Sequence, residues 1–70
     1  MNQGTVEFFN DIKGYGFIKN DDESKGSTFV HMSALNDGLK ALQKMQRVSF
    51  DIEKDPKSNK DRAANVSVID

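Results

Sequence analysis

Residues that favour extended backbone fall into five short runs, 5–9, 15–19, 28–32, 47–53 and 63–69, and each is halted by a polar or glycine-containing cluster. Strands this short leave their edges unpaired unless the sheet closes on itself. With 70 residues and no cysteine, one small core must hold the chain without disulfide or thiolate-metal staples, and residues 1–70 are read as a single domain. The one long connection, 33–46, carries Leu35, Leu39, Leu42 and Met45 near helical spacing. Gly38 interrupts that pattern, so a loop with one short helical turn is expected there. The fold class that follows is all-β, a small closed five-stranded antiparallel barrel.

Strand alternation then sorts side chains by face. Tyr15 and Phe17 point away from Gly14, Gly16 and Ile18, while Phe29 and His31 oppose Thr28, Val30 and Met32. Small and aliphatic residues suit a barrel interior. That leaves Tyr15, Phe17, Phe29 and His31 outward on neighbouring strands, where a monomer without a partner usually places polar groups. Adjacent Phe8 and Phe9 cannot share one face of a regular strand, and Phe9 is assigned to the core or its rim. Val48, Phe50, Ile52, Val66 and Val68 are the remaining core candidates.

An unpaired base offers a π-face whatever its identity, so an exposed ring stacks on it for about 1–3 kcal/mol with little sequence preference. Lys13 is placed to meet a phosphate at the edge of such a face, and His31 can stack as a ring and donate a hydrogen bond. The run Lys13-Gly14-Tyr15-Gly16-Phe17-Ile18 fits the ribonucleoprotein pattern [RK]-G-[FY]-[GA]-F-[IV]. An RNA-recognition motif would need helices behind its sheet and a second aromatic motif upstream, whereas here the second motif follows and helices are absent from the pattern. The net charge of −1 and pI near 5.7 argue against a binder held mainly by phosphate pairing. Glu7, Asp11, Asp21, Asp22, Glu23 and Asp37, however, lie mostly outside the aromatic motifs. Lys13, Lys19 and His31 lie in or beside them, and Lys57, Lys60 and Arg62 add positive charge in the last loop.

Two other function classes fit less well. One histidine, no cysteine and acidic residues gathered in turns provide no nucleophile with its base, no pocketed carboxylate pair and no metal cluster, so no catalytic residue, metal or cofactor is expected. A barrel that docks a protein or a second copy through its aromatic face would not require the glycine-spaced motif with Lys13. No apolar run approaches the ~20 residues that cross a bilayer, and the first residues carry no basic-then-apolar leader, so a cytoplasmic protein without a membrane partner is expected.

Gly4-Thr5-Val6, Phe8-Phe9-Asn10, Lys13 through Ile18, Phe29-Val30-His31, Val48-Ser49-Phe50 and Ala63-Ala64-Asn65-Val66 occur in the order and near the spacing of the bacterial cold-shock proteins, which the chain resembles from Gly4 to Val66. The resemblance implies a five-stranded oligonucleotide-binding barrel that binds single-stranded RNA and DNA, often in pyrimidine-rich stretches. It also implies RNA-chaperone or anti-terminator activity on weak hairpins, and a response to low temperature. A monomer is expected, with a weak or swapped dimer as the alternative. The contact residues so indicated are Phe8, Lys13, Tyr15, Phe17, Phe29, His31, Met32, Leu39 and Lys60. Several positions depart from the family pattern. Phe8 stands where Trp is usual and Glu7 where Lys is common. Met32 and Leu39 replace phenylalanines, Ser27 an aspartate that reads a base edge, and Met45 a turn glycine. The stacking platform is therefore reduced, and its binding is expected to be governed by rings more than by charge. Titration of a short oligo(dT) across a salt series should give a shallow log–log slope, no steeper than about −2 at roughly −0.7 per phosphate; a slope near −4 would transfer the dominant role to the lysines of the 54–62 loop.

Overall fold

The computed structural model describes residues 2–36 and 38–69; Asp37, counted above among the acidic residues away from the motifs, lies outside the described residues. Strands β1 (Asn2–Asn10), β2 (Tyr15–Asn20), β3 (Ser27–His31), β4 (Arg47–Lys54) and β5 (Asp61–Val68) follow one another along the chain. They close into a barrel in the order β1-β2-β3-β5-β4. The β1–β2, β2–β3, β1–β4 and β4–β5 pairs are antiparallel, but β3 and β5 run parallel, meeting at Phe29 and Arg62. Geometry requires this. Directions that alternate around a closed ring with an odd number of strands must fail to alternate once, so the expected antiparallel barrel carries one parallel seam.

The interior is filled from every strand. Val6, Ile18, Val30, Val48, Phe50, Ala63 and Val66 are buried, and Leu42 joins them from the β3–β4 connection. Phe9, Ala34, Leu35, Ile52 and Val68 pack against this core while partly exposed. Burying each large aliphatic or aromatic side chain contributes about 1.5–3 kcal/mol, so a core of this size leaves little to spare. Phe50 is the one phenylalanine in the fully buried set.

Met32, expected at the end of the third strand, instead opens a 3₁₀ turn, Met32–Ala34. The strand stops at His31 because its ring Nδ1 accepts the Ser33 backbone N–H at 3.2 Å, a local side-chain bond that competes with continued sheet. Leu35 then bridges to Val66, and Asn36 donates to Ser67 Oγ at 3.0 Å, which fastens the connection to β5. The leucine spacing of 33–46 produces no α-helix. Gly38 (φ 74°) and Met45 (φ 73°) both adopt left-handed backbone, and the chain between them sends Leu42 into the core instead.

Met45 holds that conformation because the turn docks on β1. Its N–H donates to Val6 O at 2.8 Å, and Val6 N–H donates to Gln46 O at 2.9 Å. The side chain, 70% exposed, gains almost nothing in return. Met45→Gly relieves the clash of Cβ with the left-handed backbone and should raise stability by about 0.5–1 kcal/mol in urea unfolding; an unchanged or lowered midpoint would show that the turn carries no strain.

Arg47 opens β4 and clamps the barrel beside this turn, where it pairs with Thr5. Its Nη1 and Nη2 donate to Asp21 Oδ1 and Oδ2 at 2.6 and 2.7 Å, and Nη1 also donates to Thr5 Oγ1 at 3.1 Å. These hydrogen bonds, reinforced by the guanidinium charge, hold the Asp21 carboxyl below its usual range. A depressed carboxylate stabilises the fold above the unfolded-state value and loses that contribution as pH falls through the folded-state one. Asp21→Asn should therefore lower the melting temperature at neutral pH, and the gap from the parent should close below about pH 4. A gap that persists in acid would assign the loss to something other than the carboxylate charge.

Candidate nucleic-acid interface

Strict alternation along β1 would put Phe8 on the same side as Val6, inside the barrel. The register prevents it. Val6 pairs with Ile18 and Phe8 with Phe17, so Glu7 is an extra residue and the strand reverses phase at a β-bulge. Phe8 turns outward, 45% exposed, and Phe9 turns toward the core opposite Gly16. Gly16 allows this, since a Cβ there would lie 2.1 Å from Phe8 O and 2.7 Å from Phe9 Cα.

β2 and β3 are regular and keep their expected faces. Tyr15 lies opposite His31, and Phe17 opposite Phe29. Phe17 is 40% exposed, His31 is exposed, and Tyr15 and Phe29 are half-buried. The rings form a continuous row. Phe8 meets Tyr15 edge-on with centroids 6.2 Å apart, Tyr15 stacks on Phe29 at 6.0 Å with 27° between planes, and Phe29 meets Phe17 edge-on at 5.8 Å. Such contacts fix each ring against its neighbours and leave outer surfaces free for a further planar group.

Lys13 is exposed in the β1–β2 turn, two residues before Tyr15. Asn10 stiffens the turn, its Oδ1 accepting from the N–H groups of Ile12 and Lys13 at 3.0 Å each and its carbonyl from Gly14 N–H at 2.7 Å. Met32 packs beneath the same turn. Its N–H donates to Gly14 O at 2.8 Å, and a Cβ on Gly14 would meet its sulfur at 2.6 Å. Nδ1 of His31 is engaged by the Ser33 backbone N–H at 3.2 Å and by Ser33 Oγ at 2.9 Å, which leaves Nε2 of the exposed ring as the nitrogen for an outside partner.

Beyond Phe17 and Phe29 the row opens into a groove of about 460 Å³, within the usual range for small-ligand sites. Ser27 lines it on β3. Asp55, Ser58 and Lys60 from the β4–β5 loop, with Asp61 and Arg62 at the start of β5, form the far wall. Lys60, Ser27 and Arg62 were marked in the sequence; Asp55, Ser58 and Asp61 were not, because only the parallel β3–β5 seam brings that loop against the rings. Arg62 is engaged by Glu53 at 2.9 Å and by Asp55 at 3.9 Å, whereas Lys60 forms no ion pair among the described residues. Leu39 stands on the β3–β4 connection, half-buried, and does not line the groove.

A family model described as the 'Cold-shock' DNA-binding domain matches residues 2–69. The chain belongs to the cold-shock domain family. It is 48% identical to cold shock protein CspC of Bacillus subtilis and 46% identical to cold shock protein CspA of Rhizobium meliloti, in each case over 94% of this chain and 96% of that protein. It is 47% identical to the major cold shock protein of Micrococcus luteus, over 99% of this chain and the whole of that protein. Domains of this family bind nucleic acid, and this chain carries a row of aromatic rings on the outer face of its barrel.

Proposed function

We propose that this barrel holds single-stranded RNA or DNA by stacking successive bases on Phe8, Tyr15, Phe29 and Phe17, with His31 adding a ring and a donor. The observation that carries this reading is the unbroken row of ring contacts on one outer face of β1, β2 and β3. Lys13 at one end and Lys60 across the groove meet phosphates. Met32 beside the β1–β2 turn and Leu39 on the β3–β4 connection supply apolar contact at the margin. A strand held with its bases on the rings cannot pair, so binding competes with weak hairpins and gives RNA-chaperone and anti-terminator activity. The cytoplasm, a response to cold, a monomeric state and pyrimidine-rich targets complete the reading, supported by the family's character.

Tyr15 provides the assay, since the chain has no tryptophan. Addition of oligo(U) or oligo(dT) should quench its fluorescence and saturate in the micromolar range or below. Phe17→Ala and Phe29→Ala should each weaken binding by about 1–3 kcal/mol. Two folded variants that bind as tightly as the parent would remove the stacking platform from consideration.

A further inference from the structure

The rings accept any base, so discrimination between bases must come from polar groups beside them. Glu7 is such a group, and stacking leaves it without a role. It is the extra residue of the β1 bulge, its side chain is exposed, and its carboxylate accepts the hydroxyl of Ser27. β1 and β3 flank β2, so this bond draws the carboxylate across β2 beside Phe17, to a residue that lines the groove with Phe17 and Phe29. It forms no ion pair among the described residues, whose pairs join Arg47 to Asp21, and Arg62 to Glu53 and Asp55; the cation nearest in register is Lys19, the cross-strand partner of Ser27. With its O–H donated to the Glu7 carboxylate, Ser27 has only lone pairs left to offer the groove. On this side of the Phe17–Phe29 pair Glu7 and Ser27 thus present acceptors, while Lys60 and Arg62 stand on the far wall of the groove.

We propose that Glu7, held in place by Ser27, selects a base bearing an exocyclic amino group at the Phe17–Phe29 position, and so favours cytosine over uracil or thymine there. The proposal rests on the single-strand reading above. Cytosine and uracil have the same ring size and stack alike. They differ at C4, where cytosine offers an N–H₂ donor to the carboxylate and uracil sets a carbonyl oxygen against it. An unpaired carboxylate repels the phosphates of every strand, and only a donating base recovers that loss. Removing Glu7 should therefore move overall affinity and base preference in opposite directions. A residue that merely supports the bulge would not do this.

The test uses fluorescence anisotropy with a short oligo(U) and a set in which a single cytidine replaces each uridine in turn. With the parent protein, one or more positions should bind about fivefold or more tightly than the uridine strand. In Glu7→Ala the preference should shrink below about twofold while oligo(U) binds as tightly as before or more so, and Ser27→Ala should reduce the preference in the same direction. A parent protein indifferent to cytidine at every position, or a Glu7→Ala variant that keeps the preference, overturns the role assigned to Glu7. Failure of the parent to bind any of these strands is a different result, and overturns the single-strand reading itself.

Discussion

Close approach of β1 to β2 at Gly16 is the contact on which the outer face depends. A methyl group at that position would sit inside the backbone of Phe8 and Phe9, so any side chain would push the strands apart where the bulge reverses them. The reversal has two products. Phe9 closes the rim of the core, and Phe8 joins the ring row. Gly4 serves the same strand pair further along, where a Cβ would lie 2.4 Å from Lys19 O. A barrel with so few core residues cannot absorb a gap between two of its strands elsewhere.

The regular parts of this architecture were open to inspection in the sequence. β2 and β3 keep period-2 alternation without interruption, and Tyr15, Phe17, Phe29 and His31 therefore point where their spacing says. β1 does not, and no glycine or proline marks the bulge at Glu7; the pairing with β2 creates it. Met32 left the third strand through a bond between a histidine ring and the Ser33 backbone, a competition that propensity does not register. The far wall of the groove was hidden for a different reason. Asp55, Ser58 and Asp61 are distant in sequence from the rings and meet them only through a seam whose existence follows from closure.

Charge is where the summed sequence misleads most. Asp21 is committed to Arg47, Asp22 caps the 3₁₀ turn Glu23–Lys25 by accepting from Ser24, and Glu53 holds Arg62. These carboxylates build structure. Near the rings the signs are mixed, with Asp55 and Asp61 lining the groove together with Lys60 and Arg62. On the proposed single-strand reading, such a face attracts a strand only weakly at long range, the reverse of a basic surface that collects any polyanion.

The parallel seam joins residues roughly thirty positions apart, and β5 is the last of the five strands to be made. On the ribosome, β1, β2 and β3 form at most an open hairpin sheet, with Val6, Ile18 and Val30 uncovered on one side and the rings on the other. The groove does not exist until β5 has emerged and docked. A chain in which β5 has not yet docked thus carries the ring row without the far wall of the groove, and groove and closed core are completed together.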